Sequence, residues 1–363
     1  MNADLRWMGY ALRLGRRALG TTLENPPVGC VVVRDGRVLG VGWTQPGGRP
    51  HAETEALEMA GEQASGATAY VTLEPCAHHG RTGPCAEALA RAGITRVVAA
   101  IEDPDPRTSG QGHAILRTAG VAVDVGLGAE EASHDLAGFL TRIARKRAYV
   151  TLKIGVSADG KIAAGPRQRT AITGPEVKAR VHLMRAQSDA ILVGLSTVLI
   201  DDPELTCRLP GMEARSPIRI VADTRLSIPS KAKLVKTAEQ VPVWILSTRK
   251  GGVSSGITVI DCRQTPNGWV DFADALQQLG LRGINRLLVE GGSHIAQSLL
   301  EADLVDEVQL FQNPVVIGPQ GIDAIAEMPL QSLANQFRVT AKEVLGSDTL
   351  TVYERPHVHW NSH

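Results

Sequence analysis

Apolar residues in MNADLRWMGYALRLGRRALG recur at helical spacing, which predicts an amphipathic helix over roughly residues 4–19. Asn25-Pro26-Pro27 then ends helical structure, since proline fixes φ and has no amide hydrogen to donate. The pattern changes to two β-rich runs in GCVVVRDGRVLGVGW, joined at Asp35-Gly36. Glycine there supplies the positive φ that a tight hairpin turn requires. PHAETEALEMAG returns to helical spacing, with Pro50 near its first turn and Gly61 beyond its end. TAYVTLE, TRVVAAI and VAVDVG follow as strands, with CAEALARAG and QGHAILRTAG as helices between them. This order predicts a mostly parallel sheet behind an initial antiparallel hairpin.

ASHDLAGFLTRIARKRAYV predicts a helix and then a basic connector, Arg145-Lys146-Arg147, expected to lie on the solvated surface. A domain boundary is placed there, giving domains 1–146 and 147–363. The second half begins YVTLKIGVSADGKIA and alternates again, with apolar strands near DAILVG, IRIVAD, VPVWIL, RLLVEGG and DEVQLF. FRVTAKEVLG and DTLTVYE close it as a hairpin-like pair. Both halves are α/β, and no repeat or low-complexity tract relates them.

Length agrees with two domains, because 363 residues exceed what one hydrophobic core usually organises. Lys plus Arg and Asp plus Glu both total 38, a balance that argues against a nucleic-acid partner. No apolar run of about 18 residues and no signal-peptide pattern occurs, so a cytoplasmic enzyme without a membrane partner is expected. Five cysteines, an odd and small number, do not make a disulfide framework. Clustered cysteines in such a chain are read as ligands.

The chemistry-bearing residues are His51 and Glu53 on one helix, Cys76 after a strand, and Cys85 opening the next helix. Zinc deaminases use three protein ligands, an open fourth position for water, and one carboxylate that stays off the metal. His51, Cys76 and Cys85 are therefore the candidate ligands of one zinc ion per chain, and Glu53 the candidate proton shuttle. A helix N-terminus favours the thiolate form of Cys85. Taken singly, each residue has a plainer reading: His51 as a cap, the cysteines as small buried apolar groups, Glu53 as a solvated helix residue. The joint pattern on the right elements outweighs those readings.

Zinc deaminases commonly have two residues between the cysteines, whereas here Ala77 through Pro84 intervene. With this insert, PCAHHGRTGPC, HAETEAL and NPPVGCVVVRDG resemble the bifunctional riboflavin-biosynthesis deaminase–reductase family of RibD type. The resemblance implies an N-terminal cytidine-deaminase-like αβα domain and a C-terminal dihydrofolate-reductase-like α/β domain. It implies that His78, Arg81 and Thr82 hold the ribose phosphate of a phosphoribosylated pyrimidine, that Asn25 meets the ring, and that Asp103 meets the ribose. Asp105 departs from the family pattern, which has asparagine there.

Alone, Glu290-Gly291-Gly292-Ser293 is either a phosphate-binding loop or a plain strand–helix turn, and no dinucleotide fingerprint is present. KIGVSADGKIA, RAQSDAILVGLSTVLIDDPELTCR and VEGGS are similar to the reductase domain of the same family. That similarity implies NADPH as cofactor at Val156, Thr197, Asp201 and Gly292, and substrate contacts at Arg185, Leu205, Arg208 and Glu290. Ala171 stands where the family usually has tryptophan, and Lys153 and Asp159 are open between chemistry and scaffold. A homo-oligomer is also implied. The rival readings are a nucleic-acid-editing deaminase, a closed structural zinc site, and a deaminase with an inactive second half. Neutral charge, 4% aromatic content and the lack of a fourth Cys or His near the triad count against the first two. The histidines of the tail PHVHWNSH are expected to form no metal site.

Overall fold

The computed structural model describes residues 3–78, 83–166, 168, 170–251 and 255–356, and the chain divides after Lys146 into two compact units. In the first, α1 (Ala3–Gly15) leads to the hairpin β1 (Gly29–Arg34) and β2 (Arg37–Trp43). Asp35 and Gly36 turn it with φ of 51° and 71°, the paired positive values a two-residue turn requires. Then come α2 (Ala52–Ala60), β3 (Thr68–Val71), α3 (Cys85–Arg91) and β4 (Arg96–Ala99). Next are α4 (Gln111–Thr118), β5 (Ala122–Val125), α5 (Ala129–Asp135) and α6 (Ala137–Arg145). Among the described residues these strands form a five-stranded sheet, β2-β1-β3-β4-β5. β1 pairs antiparallel with β2 and β3, while β3, β4 and β5 are parallel, as the pattern predicts.

Two glycines show which face each helix takes. A Cβ on Gly29 would lie 1.9 Å from the Ala11 carbonyl of α1, and one on Gly42 2.1 Å from the Ala52 carbonyl of α2. Gly42 pairs with Cys30, the neighbour of Gly29, and successive strand residues face opposite ways. α1 and α2 therefore cover opposite faces, an αβα arrangement, and each sits close enough that only hydrogen fits beneath it.

The second unit begins with β6 (Tyr149–Val156), β7 (Lys161–Ala163), α7 (Pro175–Ala186), β8 (Ala190–Gly194) and α8 (Leu195–Asp201). It continues through β9 (Ile218–Ala222), α9 (Lys233–Lys236), β10 (Val243–Ser247), β11 (Ile257–Asp261), α10 (Phe272–Leu281) and β12 (Arg286–Glu290). It ends with α11 (Ser293–Glu301), β13 (Glu307–Gln312), β14 (Ile322–Asp323), α12 (Leu333–Gln336), β15 (Arg338–Leu345) and β16 (Asp348–Glu354). Among the described residues a nine-stranded sheet has the order β11-β10-β9-β8-β12-β6-β13-β16-β15. All of its pairings are parallel except β13–β16 and β15–β16, the terminal hairpin. The small β7–β14 pair is not legible in the sequence.

Both faces of this sheet are buried. Ala190, Leu192, Leu287 and Val289 pack with α10 and α11, while Ile191, Val193 and Leu288 pack with α7 and α9. Each such aliphatic side chain contributes roughly 1.5–3 kcal/mol on burial, which makes the sheet a stiff frame for the loops at its strand ends.

One expectation at the boundary is corrected. Arg147 is not solvated: it is 7% exposed, and its guanidinium grips Asp306 through Nη1–Oδ2 at 2.6 Å and Nη2–Oδ1 at 2.7 Å. The Asp306 carboxylate also accepts the Val150 amide. A bidentate partner far along the chain turns a nominal surface charge into a core anchor; removing one partner of such a pair typically costs about 3–5 kcal/mol.

Candidate active sites

In the first unit, His51 caps α2 with extended backbone angles and makes no side-chain cap bond. Its Nδ1 instead lies 3.7 Å from Cys76 Sγ and 3.4 Å from Cys85 Sγ. The backbone N–H of Cys85, the first residue of α3, donates to Cys76 Sγ at 3.4 Å. The donor atoms of these three residues all lie within 4.8 Å of one another. One imidazole nitrogen and two sulfurs converging this closely match the donor set and compactness of a zinc centre, so the residues fit that ion.

The same contacts set the ionisation of the cluster. A hydrogen bond from Cys85, helped by His51, holds the Cys76 thiol down to about 4 against the opposing effect of burial. Cys85, the donor of that pair, is pushed up by the same bond and by burial, so the thiolate expected on Cys85 is instead favoured on Cys76, which receives the backbone N–H at the start of α3. Glu53 is 4% exposed, and burial pushes its carboxyl up to about 7. It is not one of the converging ligand groups. Cys30 is fully buried, its thiol pushed up by burial and by the nearby Glu53 charge, and it also stands outside that group.

Glu74 was missed by sequence reasoning. It lies two residues before Cys76, and its buried carboxylate accepts the N–H groups of Asp103 at 3.2 Å, Gly110 at 3.0 Å and His113 at 3.1 Å. Gly110 and His113 belong to the start of α4, so a helix N-terminus closes on an anion there. Glu102 and His113 also lie near Glu74, but three amide hydrogens aimed at the carboxylate describe a bound anion, not a cation ligand. Gly112 completes the seat, since a Cβ there would meet the Pro75 carbonyl at 1.9 Å. The Pro75-Cys76 backbone is thereby pressed into place from beneath.

Of the residues implied to hold substrate, Arg81 and Thr82 lie outside the described residues. His78 Nδ1 lies 3.5 Å from Thr108 Oγ1, and the Thr108 amide donates to the Asp105 carbonyl. Asp103 is 7% exposed, its carboxyl is pushed up to about 7 by burial, and its Oδ1 accepts the Asp105 amide. His78, on the loop between β3 and α3, thus reaches Thr108 on the β4–α4 loop that also carries Asp103. Asp105 is engaged by the Arg107 guanidinium, which holds its carboxyl below the ordinary value. Asn25 is half-buried in a separate turn closed by the Thr22 hydroxyl on its carbonyl.

In the second unit, a cavity of about 760 Å³ opens at the ends of parallel strands β6, β8 and β12. Ligands in open α/β sheets bind at such carboxyl ends. Thr197, Asp201, Gly292, Arg185, Leu205, Arg208 and Glu290 line it, as do Lys153, Ile172 and Thr173. Val156 does not; its side chain is fully buried beneath. Ala171 is exposed and is not part of the lining.

Gly291 and Gly292 have φ of 99° and 93°, which favours glycine, and they deliver the N-terminus of α11 to the cavity. A helix start with bare backbone fits the phosphates of a nucleotide cofactor. Arg185 is not a surface residue: it pairs bidentately with Glu290 at 2.7 and 2.8 Å and donates to the Thr206 carbonyl at 3.1 Å. That pairing holds the Glu290 carboxyl below its ordinary value against the opposing effect of burial. Lys153 lies at the same floor, its ammonium held below its usual range by burial. Asp159 is scaffold, since its carboxylate clasps Ser157 Oγ and the amides of Ile317 and Gly318.

Comparison with known proteins follows the same division. The family described as the cytidine and deoxycytidylate deaminase zinc-binding region matches residues 1–101, and the RibD C-terminal domain matches residues 148–351. Fold and site thus define a two-domain enzyme, a zinc-binding deaminase followed by a reductase with the dihydrofolate-reductase-like fold. The riboflavin biosynthesis protein RibD of Escherichia coli is 40% identical over 353 residues, covering 94% of this chain and 96% of that protein. Its counterpart from Aquifex aeolicus is 38% identical over 97% of this chain and 98% of that protein. Acinetobacter baumannii RibD superposes with a TM-score of 0.86 at 34% identity, over 98% of this chain and 99% of that one. The Thermotoga maritima diaminohydroxyphosphoribosylaminopyrimidine deaminase/5-amino-6-(5-phosphoribosylamino)uracil reductase does so with a TM-score of 0.87 at 32% identity, over 97% and 99%. This chain belongs to the RibD family of bifunctional deaminase–reductases of riboflavin biosynthesis. No helix among its described residues is long and apolar enough to cross a membrane.

Proposed function

We propose that the first unit removes the 2-amino group of 2,5-diamino-6-hydroxy-4-(5-phosphoribosylamino)pyrimidine, and that the second reduces the ribosyl group of the product to ribityl with NADPH. The observation that carries the reading is the convergence of His51 Nδ1 and the Cys76 and Cys85 sulfurs beside the buried Glu53. In this reading His51, Cys76 and Cys85 hold one zinc ion per chain, which when bound acts as a Lewis acid and lowers the pKa of water.

Glu53 moves the proton. Burial raises its carboxyl, which suits it to carry one proton from the attacking water to the ring nitrogen and then water's second proton to the leaving amine, which departs as ammonia. Glu74 and Gly112 keep the Cys76 loop in register with α3. Asn25, His78, Arg81, Thr82 and Asp103 orient the ring and phosphoribosyl group.

In the second unit the Gly292 loop, Thr197 and Asp201 hold NADPH, and the reduced nicotinamide supplies the hydride. Arg185, Leu205, Arg208 and Glu290 hold the sugar phosphate. What these residues contribute is alignment, in a cavity walled off from bulk water on the sheet side.

The test gives the full chain the diaminopyrimidine and NADPH, following ammonia and cofactor absorbance together. Ammonia release is expected to stop on chelation, while NADPH consumption survives when the deaminated compound is supplied directly. Ammonia release unaffected by full metal removal contradicts the deaminase assignment. Absence of NADPH consumption identifies an inactive second unit.

A further inference from the structure

We infer that His182 is a positioning residue of the reductase: its neutral imidazole holds the Glu204–Arg208 segment in the shape that presents Leu205 and Arg208 to the substrate. The inference rests on the reading of the second cavity given above. Glu204–Arg208 has no helix or strand hydrogen bonds of its own. Side chains from other elements hold it instead. Arg219 Nη1 donates to the Glu204 carbonyl at 3.3 Å, and Arg185 Nη1 donates to the Thr206 carbonyl at 3.1 Å. The Cys207 amide donates to Ser216 Oγ at 3.1 Å, and the Arg208 amide donates to His182 Nδ1 at 3.2 Å. Leu205 is buried with φ of 56°, a backbone state a leucine keeps only when its surroundings impose it.

Among these anchors His182 alone reverses its role on protonation. Its Nδ1 accepts only while that nitrogen is bare; an imidazolium presents N–H to the Arg208 N–H and the bond is lost. His182 is half-buried on α7, one turn before Arg185. The groups facing it are Arg185 on its own helix, Arg208 and the Thr206 backbone on the segment, and Glu290 at the end of β12. Burial first, then the two guanidinium groups, keep the ring below the ordinary imidazole range, with the Thr206 backbone and Glu290 opposing them. The anchor is therefore intact at neutral pH and fails on acidification.

The test uses the full chain, the deaminated phosphoribosylaminouracil and NADPH in steady state, with hydrogen exchange of second-unit peptides in the same preparation as the folding control. His182→Ala should raise KM for the uracil substrate roughly tenfold, the order expected for one lost hydrogen bond, with kcat within about twofold. His182→Asn should restore KM, because its Oδ1 accepts near the place of Nδ1. His182→Gln should not, because its acceptor lies one bond farther out. As pH falls, KM should rise more in the parent than in His182→Asn; the substrate phosphate, with a second pKa of about 6, titrates in both and cancels. Where His182→Ala fails to fold, the Asn and Gln pair decides. Equal KM for the parent, Asn and Gln variants, while Arg208→Ala raises it, overturns the positioning role. Arg208→Ala leaving KM unchanged overturns the cavity reading itself, and the inference with it.

Discussion

Glu74→Gln changes one buried oxygen to an amide NH₂ and removes one charge. The parent carboxylate receives three backbone N–H groups, from Asp103, Gly110 and His113, at 3.0–3.2 Å. Glutamine keeps one acceptor oxygen and turns its NH₂ on at least one of those donors. Leaving a buried donor unpaired costs about 1–3 kcal/mol, and a charged acceptor adds about as much again. The start of α4 also loses an anion, worth up to about 2 kcal/mol in partly buried settings. These overlapping contributions come to about 3 kcal/mol, or roughly a hundredfold in local opening. Hydrogen exchange of the full chain should therefore accelerate about that much in peptides holding Asp103, Gly110 and His113, and zinc content should fall because Cys76 follows Glu74 by two residues. Peptides of the second unit should not change. Exchange within about threefold of the parent, with full zinc, would refute the argument that this carboxylate seats the Cys76 loop.

Two further outcomes are expected. Gly112→Ala places a Cβ 1.9 Å from the Pro75 carbonyl and must push the Pro75-Cys76 backbone, so deaminase activity should fall at least about tenfold while NADPH oxidation on the deaminated substrate is retained. Parallel assays of one preparation check this. Asp159, held down to about 2 from an ordinary 3.8 mainly by the Ser157 hydroxyl and the amides of Ile317 and Gly318, contributes stability above 3.8 that is lost as pH falls through about 2. Asp159→Asn should therefore flatten the pH dependence of unfolding in that interval alone, read by denaturation at a series of acidic pH values.

The triad was legible because each member falls at a start or end the sequence marks. Pro50 precedes the helix carrying His51 and Glu53, and Pro84 precedes the one opened by Cys85. The Asp35-Gly36 turn was legible for the same local reason. Glu74 was not, because its role depends on amides of residues 103, 110 and 113, a partnership formed only when β3 and α4 meet. Arg147 looks like a surface charge until Asp306 arrives from more than a hundred residues away, and the pairing of Arg185 with Glu290 is likewise made by segments that far apart. Asp159 reads equally well as chemistry or scaffold until the Ile317 and Gly318 amides close on it. Signals written within a turn or a helix end were readable; those made by two distant segments were not.

The division of labour in the first unit is tested most directly on Glu53→Gln, measured for bound zinc and for ammonia release from the diaminopyrimidine. With His51, Cys76 and Cys85 untouched, zinc should stay at one equivalent. Ammonia release should drop about 10²–10⁴-fold, the range expected for losing a positioned proton carrier, while NADPH oxidation on the deaminated compound is unchanged. Ammonia release within tenfold of the parent at full zinc would contradict the account.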